Sequence, residues 1–202
     1  MKIVLVVLAM FFLTSFGPET EEQFFNDLAK QSREVATVSG TFIQTKHIKV
    51  LGEKVESGGT FFYKRSGNVR FDYSTPKTMS IIMTTSNIHI LSRGKATTFS
   101  LESQKGLSDL AGVMEACMGG NITSIPKTYK VTYELKQERH KLYIEPKNKN
   151  LISPYTRIEL SLNKNNLSLE ELILVEKTQD YTVYKFSSIT LNRSLPATMF
   201  RP

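Results

Sequence analysis

Apolar and polar residues alternate with a period of two in four stretches of the chain, and this pattern limits its fold more than any other feature. Val69, Phe71 and Tyr73 alternate with Arg70, Asp72 and Ser74, and Tyr129, Val131, Tyr133 and Leu135 with Lys130, Thr132, Glu134 and Lys136. Ile158, Leu160 and Leu162 repeat the pattern, while Met79, Ile81 and Met83 follow it less cleanly beside Ser80 and Ile82. Each such run is a strand with one apolar face. Turn signals stand between the runs: Ser66-Gly67-Asn68, Thr75-Pro76-Lys77, Ser86-Asn87, Arg93-Gly94 and Asn163 to Asn166. Strands punctuated this closely form an antiparallel meander. The count is ten or eleven strands, and a sheet of that length must close, curl or split. Gly58-Gly59 falls inside one strand, where it marks a bulge, a bend or a close backbone approach.

Two segments change the period to that of a helix. Glu19 to Ser32 places Phe24, Phe25, Leu28 and Ala29 on one stripe, with Thr20 and Gln23 at the capping-box offset and Glu21 and Glu22 at the positive end of the dipole. Gly106 to Met118 carries Leu107, Leu110, Ala111, Met114, Cys117 and Met118 on one face and ends at Gly119-Gly120. This second helix separates about six strands from about five.

The apolar strand face is large and soft. It comprises Phe42, Phe61, Tyr63, Phe71, Tyr73, Met79, Ile81, Met83, Ile88 and Ile90. A curved sheet must cover such a face with helices, another sheet or a ligand. Two short helices can fill the hollow as a dry core, or they can form a lid over a cavity for an apolar guest, with methionines that repack around it. Periodicity leaves both readings open.

Composition narrows the chemistry. Among 202 residues there are one cysteine and three histidines, which excludes an internal disulfide and any zinc site built on several thiolates. The sequence has no nucleophile elbow, Walker loop, HExxH, EF-hand or dinucleotide fingerprint. Adjacent Glu170 and Glu171 point to opposite strand faces, and Cys117 lies on an apolar helix face. Neither catalysis nor a metal or cofactor is expected. The net charge is +7, but the cations are dispersed and no nucleic-acid motif is present, so nucleic acid is not the expected partner. The positive charge is expected on the outer face and rim, where it can meet acidic partners or anionic headgroups.

The N-terminus reads as an address. Lys2 precedes the apolar run Ile3 to Phe16, ended by Gly17-Pro18 and followed by Glu19, Glu21 and Glu22. The run is too short to span a bilayer and has the flanks of a secretory signal peptide. Residues 1–17 are therefore expected to be the signal and 18–202 a single domain, outside the cytoplasm, with a charge of about +6.

Several segments resemble one family. Gly40-Thr41-Phe42-Ile43-Gln44-Thr45-Lys46 resembles the F-x-Q-x-K strand of the LolA-like periplasmic lipoprotein carriers. Ser57 to Pro76, SGGTFFYKRSGNVRFDYSTP, is similar to that family's glycine-bearing strand, Lys-Arg end, turn and aromatic return strand. Phe186 to Pro202, with Leu195-Pro196 and Phe200, is similar to its end. The resemblance implies an α+β, mainly β fold: an incomplete, half-open antiparallel barrel of about 11 strands with a helical lid over an apolar cavity. It also implies a monomeric periplasmic carrier in a Gram-negative bacterium, which takes acylated lipoproteins from an inner-membrane ABC exporter to an outer-membrane acceptor. Lipid-lining candidates are then Phe42, Phe61, Tyr63, Phe71, Tyr73, Ile81, Met83 and Ile90 on strands, with Leu110 and Met114 on the second helix. Arg65 matches the arginine that holds the lid shut and is expected to turn inward to lid carbonyls.

Two positions depart from the family pattern: Ser66 replaces the usual proline, and Val69 the larger apolar residue. At about 0.8 kcal/mol per buried CH₂, one long acyl chain is worth on the order of 10 kcal/mol, so unloading should need direct contact with an acceptor. A carrier of fatty acid, glycolipid or another acylated metabolite, or a scaffold that binds no lipid, shares the same pattern.

Overall fold

The computed structural model describes residues 20–65, 67–103, 105–148 and 154–202; the side chains of residues 105–107, 109 and 110 fall outside that description, as does the expected signal segment 1–17. Helix α1 (Glu21–Glu34) leads into strands β1 (Thr37–Ile48), β2 (Glu53–Lys64), β3 (Asn68–Thr75), β4 (Met79–Met83), β5 (Asn87–Ser92) and β6 (Lys95–Ser100). Helix α2 (Lys105–Gly119) follows, then β7 (Tyr129–Lys136), β8 (Arg139–Pro146), β9 (Tyr155–Asn163), β10 (Leu169–Glu176) and β11 (Tyr181–Leu191).

Among the described residues the eleven strands form one antiparallel sheet in the order β6-β5-β4-β3-β2-β1-β11-β10-β9-β8-β7. Each half is a simple meander, and the pairing of β1 with β11 joins the first half to the last. The two edges, β6 and β7, do not pair, so the barrel stays half open. Both helices lie on its concave side. α1 begins with the Gln23 amide donating to Thr20 Oγ1 at 3.2 Å, and its stripe buries Phe24 and Leu28. α2 packs on β1, β2 and β3. It buries Val113 and Ala116 as well as Met114, Cys117 and Met118, a wider face than the single stripe read from the sequence.

Glycines set the curvature where strands approach closely. The β2–β3 register shifts between Gly58 and Gly59, and a Cβ on Gly59 would fall inside the carbonyl of Asp72. Position 59 must therefore lack a side chain if β2 and β3 are to pair.

β4 explains its own irregular pattern. Ile82 is fully buried, but on the convex face, under Leu195 and Phe200 of the C-terminal segment. Arg70 Nη1 donates to Met199 O at 2.6 Å and fixes that segment. Ile82 can be apolar on the convex face because the C-terminal segment covers it, while Ser80 on the same face donates to Asp72. No helix among the described residues is long and apolar enough to cross a membrane.

Candidate functional site

The concave face is built from cross-strand rows. One row runs Phe61, Phe71, Ile81, Ile90 across β2 to β5, and the next runs Tyr63, Val69, Met83, Ile88. In a third row Gly59 stands between Phe42 of β1 and Tyr73 of β3. Its missing side chain lets those two rings meet edge to face, 5.0 Å apart. Gly40 does the same one row along: Phe61 lies against it and meets Phe186 at 4.9 Å. Two glycines on the floor of the cup thus give room for aromatic rings above them.

Phe42, Phe61, Tyr63, Phe71, Tyr73, Met83 and Met114 are buried in one cluster. Ile81 packs partly buried against it, and Ile90 is half-buried opposite Ile81. Leu110 lies on α2, but its side chain is outside the described residues.

One end of the cup is polar. Tyr73 donates to Gln44 Oε1 at 2.7 Å, and its hydroxyl lies 3.5 Å from that of Tyr184. Lys46, two residues beyond Gln44, pairs with Glu176 at 3.1 Å. Phe42, Gln44 and Lys46 are spaced by two on β1, so one strand face runs from aromatic through amide to charge. Burial, then the neighbouring Tyr73, pushes the Tyr184 phenol well above its ordinary range. Burial and then the carboxylate of Glu176 raise Tyr155.

The other end is closed by α1. Phe24 stacks on Tyr133 at 4.4 Å and on His140 at 4.6 Å, which seats the start of the helix on β7 and β8. The last turn is held by Arg65, just past β2. Its Nη2 donates to the carbonyls of Ser32 (2.9 Å), Arg33 (2.5 Å) and Val35 (2.6 Å), and Nε adds a 3.0 Å bond to Val35. These carbonyls end the helix, where the dipole is negative and partners within the helix run out. Arg65 does not turn into the cup as the sequence suggested. It is an exposed residue lying across the helix end, because the acceptors it serves are there.

A second clasp was not visible in the sequence. Asn192, in the left-handed region at φ 58°, donates through Nδ2 to Glu34 O at 3.1 Å and accepts from the Ala36 amide at 2.7 Å. A third contact, from Gln31 Nε2 to Asn166 O at 2.8 Å, ties α1 to the β9–β10 turn. These partners lie more than 130 positions apart along the chain, so no local spacing could have revealed them.

With the helices seated, a polar cleft of about 340 Å³ stays open between α1 and α2, among Ala29, Arg33, Tyr63, Arg65, Glu115 and Asn121, but the space beneath α1 is nearly full. A cavity of about 50 Å³ remains beneath α1, among Leu28, Val35, Val38, Phe61, Met118 and Leu169. That is space for a water or two and far short of a long acyl chain, so any such guest needs the helices to move. Burial pushes the Cys117 thiol up to about 12, which makes it inert packing. No group of three or more His, Cys, Asp or Glu side chains among the described residues could hold a metal ion.

The family model described as outer membrane lipoprotein carrier protein LolA matches residues 33–202. Comparison with curated protein sequences gives no match. Among solved structures, the fold is similar to a domain described as outer membrane lipoprotein-sorting from Vibrio parahaemolyticus, at 10% identity and a TM-score of 0.50, over 89% of this chain and 94% of that one. It is also similar to an uncharacterized conserved protein from Thermus thermophilus, at 7% identity and a TM-score of 0.51, over 91% of this chain and 94% of that one.

Proposed function

The chain belongs to the LolA family of outer membrane lipoprotein carrier proteins, and from that premise we propose that it is a monomeric periplasmic carrier which holds the acyl chains of lipoproteins in its cup. It takes them from an inner-membrane ABC exporter and yields them to an outer-membrane acceptor or membrane, with no catalytic step. Residues 1–17 direct its export and 18–202 form the carrier. Phe42, Phe61, Tyr63, Phe71, Tyr73, Ile81, Met83, Ile90, Leu110 and Met114 line the hollow once α1 and α2 withdraw.

The observation that carries this reading is the Arg65 clasp. Four hydrogen bonds hold the end of a helix over an aromatic floor with almost no space beneath it. Such a contact is strong enough to close the empty cup and weak enough to be displaced by an entering chain, whose burial is worth on the order of 10 kcal/mol. Arginine serves the end carbonyls through a rigid fork that lysine lacks.

The test is lipid content. Wild type and Arg65→Leu are purified from periplasm, extracted with organic solvent and analysed by mass spectrometry. Triacylated lipoprotein should accompany both and be enriched in the variant; equal content in the two proteins overturns the latch. The tight packing of the hollow favours one other reading, a scaffold whose core never opens, and extraction then recovers no lipid from either. Recovery of small lipid alone marks a carrier of free fatty acid or glycolipid.

A further inference from the structure

Among the described residues, one buried side-chain polar atom has no hydrogen-bond partner: Oε1 of Gln31. Buried carbonyl oxygens are almost always paired, so this one, at the wall of a cavity, is placed to accept from whatever enters it. Gln31 lines the 50 Å³ cavity beneath α1. Its amide nitrogen is committed to Asn166 O at 2.8 Å, which fixes the orientation of the group. The planar amide therefore leaves its oxygen as an acceptor and nothing else. The remaining wall is mostly apolar, with Leu28, Val35, Val38, Phe61, Leu169 and Ile189 around it, and Ser32 and Ser168 also border it. The cavity lies at the seam between α1 and β9 to β11, with Leu162, Leu169, Ile189 and Leu191 on the sheet side.

We propose that this cavity is the loading subsite of the cup, and that Gln31 Oε1 accepts a hydrogen bond from a donor adjoining the acyl chain, an amide N–H or a hydroxyl. The inference rests on the carrier reading and adds a selection rule to it. An ester-linked chain offers only acceptors to Gln31 and leaves its oxygen buried and unpaired. An amide-linked or hydroxylated chain satisfies it. A site built around a buried polar group discriminates against the ligand that cannot pair with it. In a lipid carrying both linkages, the amide-linked chain loads first.

Binding of matched ligands to the full mature protein tests this: N-methylpalmitamide, methyl palmitate and methyl 2-hydroxypalmitate, each displacing a fluorescent fatty acid. Wild type should bind the amide or the hydroxy ester about tenfold more tightly than the plain ester, and the stronger of the two identifies the donor. Gln31→Met keeps the length of the side chain and should remove the preference by weakening the donor-bearing ligands alone. Should it not fold, Gln31→Leu serves the same comparison. Equal binding of all three by wild type overturns the subsite while leaving the carrier reading intact, as does a preference that survives the substitution. Failure of every ligand to bind overturns both.

Discussion

Nε and Nη2 of Arg65 both donate to the carbonyl oxygen of Val35, at 3.0 and 2.6 Å. A lysine ammonium is a single point and cannot reproduce this fork. Arg65→Lys should therefore keep part of the helix-end contact, and Arg65→Leu none. Because Arg65 is exposed, water competes for the same carbonyls, and the loss in Arg65→Leu should be about 1–2 kcal/mol rather than the sum over four bonds. Urea titration gives the size of the loss, and binding of an apolar fluorescent dye reports the opened cup. The expected order of dye binding is Arg65→Leu, Arg65→Lys, wild type; a lysine variant as open as leucine would remove the fork from the account.

Cys117 offers an internal reporter of the same motion. It is buried on the inner face of α2, and burial pushes its thiol up to about 12. At pH 8 the thiolate is then a fraction of about one in ten thousand, and the sulfur is shielded as well. Alkylation by iodoacetamide should be negligible in wild type and rise severalfold in Arg65→Leu. Unchanged labelling in an opened variant would mean that α2 stays seated while α1 moves.

The same burial predicts how stability depends on pH. Burial, first among the causes in each case, raises Tyr63, Tyr73, Tyr155 and Tyr184 above the ordinary value of 10.0, and Cys117 from 9.0 to about 12. Unfolded, these groups lose their protons earlier than they do in the fold. Their contribution is thus complete below about pH 9 and is lost as pH rises through the raised values. Urea midpoints should fall steadily above pH 9, and Tyr184→Phe should flatten that decline by removing the most strongly raised phenol. A decline as steep in the phenylalanine variant places the alkaline sensitivity elsewhere.

Gly59→Ala should be among the most damaging single changes in the chain. The added Cβ meets Asp72 backbone rather than a side chain that can swing away. Loss of about 3 kcal/mol or more is expected from the forced separation of β2 and β3. Gly52, at φ 63° in the β1–β2 turn with open space around it, is the control. Alanine there costs only the backbone preference, about 1 kcal/mol. Comparable midpoints for the two variants would deny the close approach.

These residues also mark what the sequence could and could not convey. The alternation around Phe71 and along β9 fixes which face is concave, because a period of two leaves no other option once one face is buried. The paired glycines gave warning of close approach, but not that Gly59 lets rings from the strands on either side of it meet, which depends on register. Ile82 looked like a fault in β4, since the C-terminal segment that covers it lies more than 110 residues later. Arg65 was recognisable from its surrounding motif, and its direction was not, because the acceptors belong to a helix end whose placement is tertiary. Asn192 and Gln31 carried no local signal at all.

Asn192 and Arg65 hold adjacent carbonyls, Glu34 O and Val35 O, so their contributions should not add. Asn192→Gly keeps the left-handed backbone at φ 58° and removes only the side chain, which isolates the clasp from strain. Losing either residue lets the last turn of α1 fray, and the survivor then has less ordered structure to bind. The double variant with Arg65→Leu should accordingly fall short of the summed single losses by about 0.5 kcal/mol or more. Urea titration of the four proteins measures that difference directly. Losses that add within a few tenths of a kcal/mol would mean that the two residues act on separate elements, and α1 would then have no common hinge at its end.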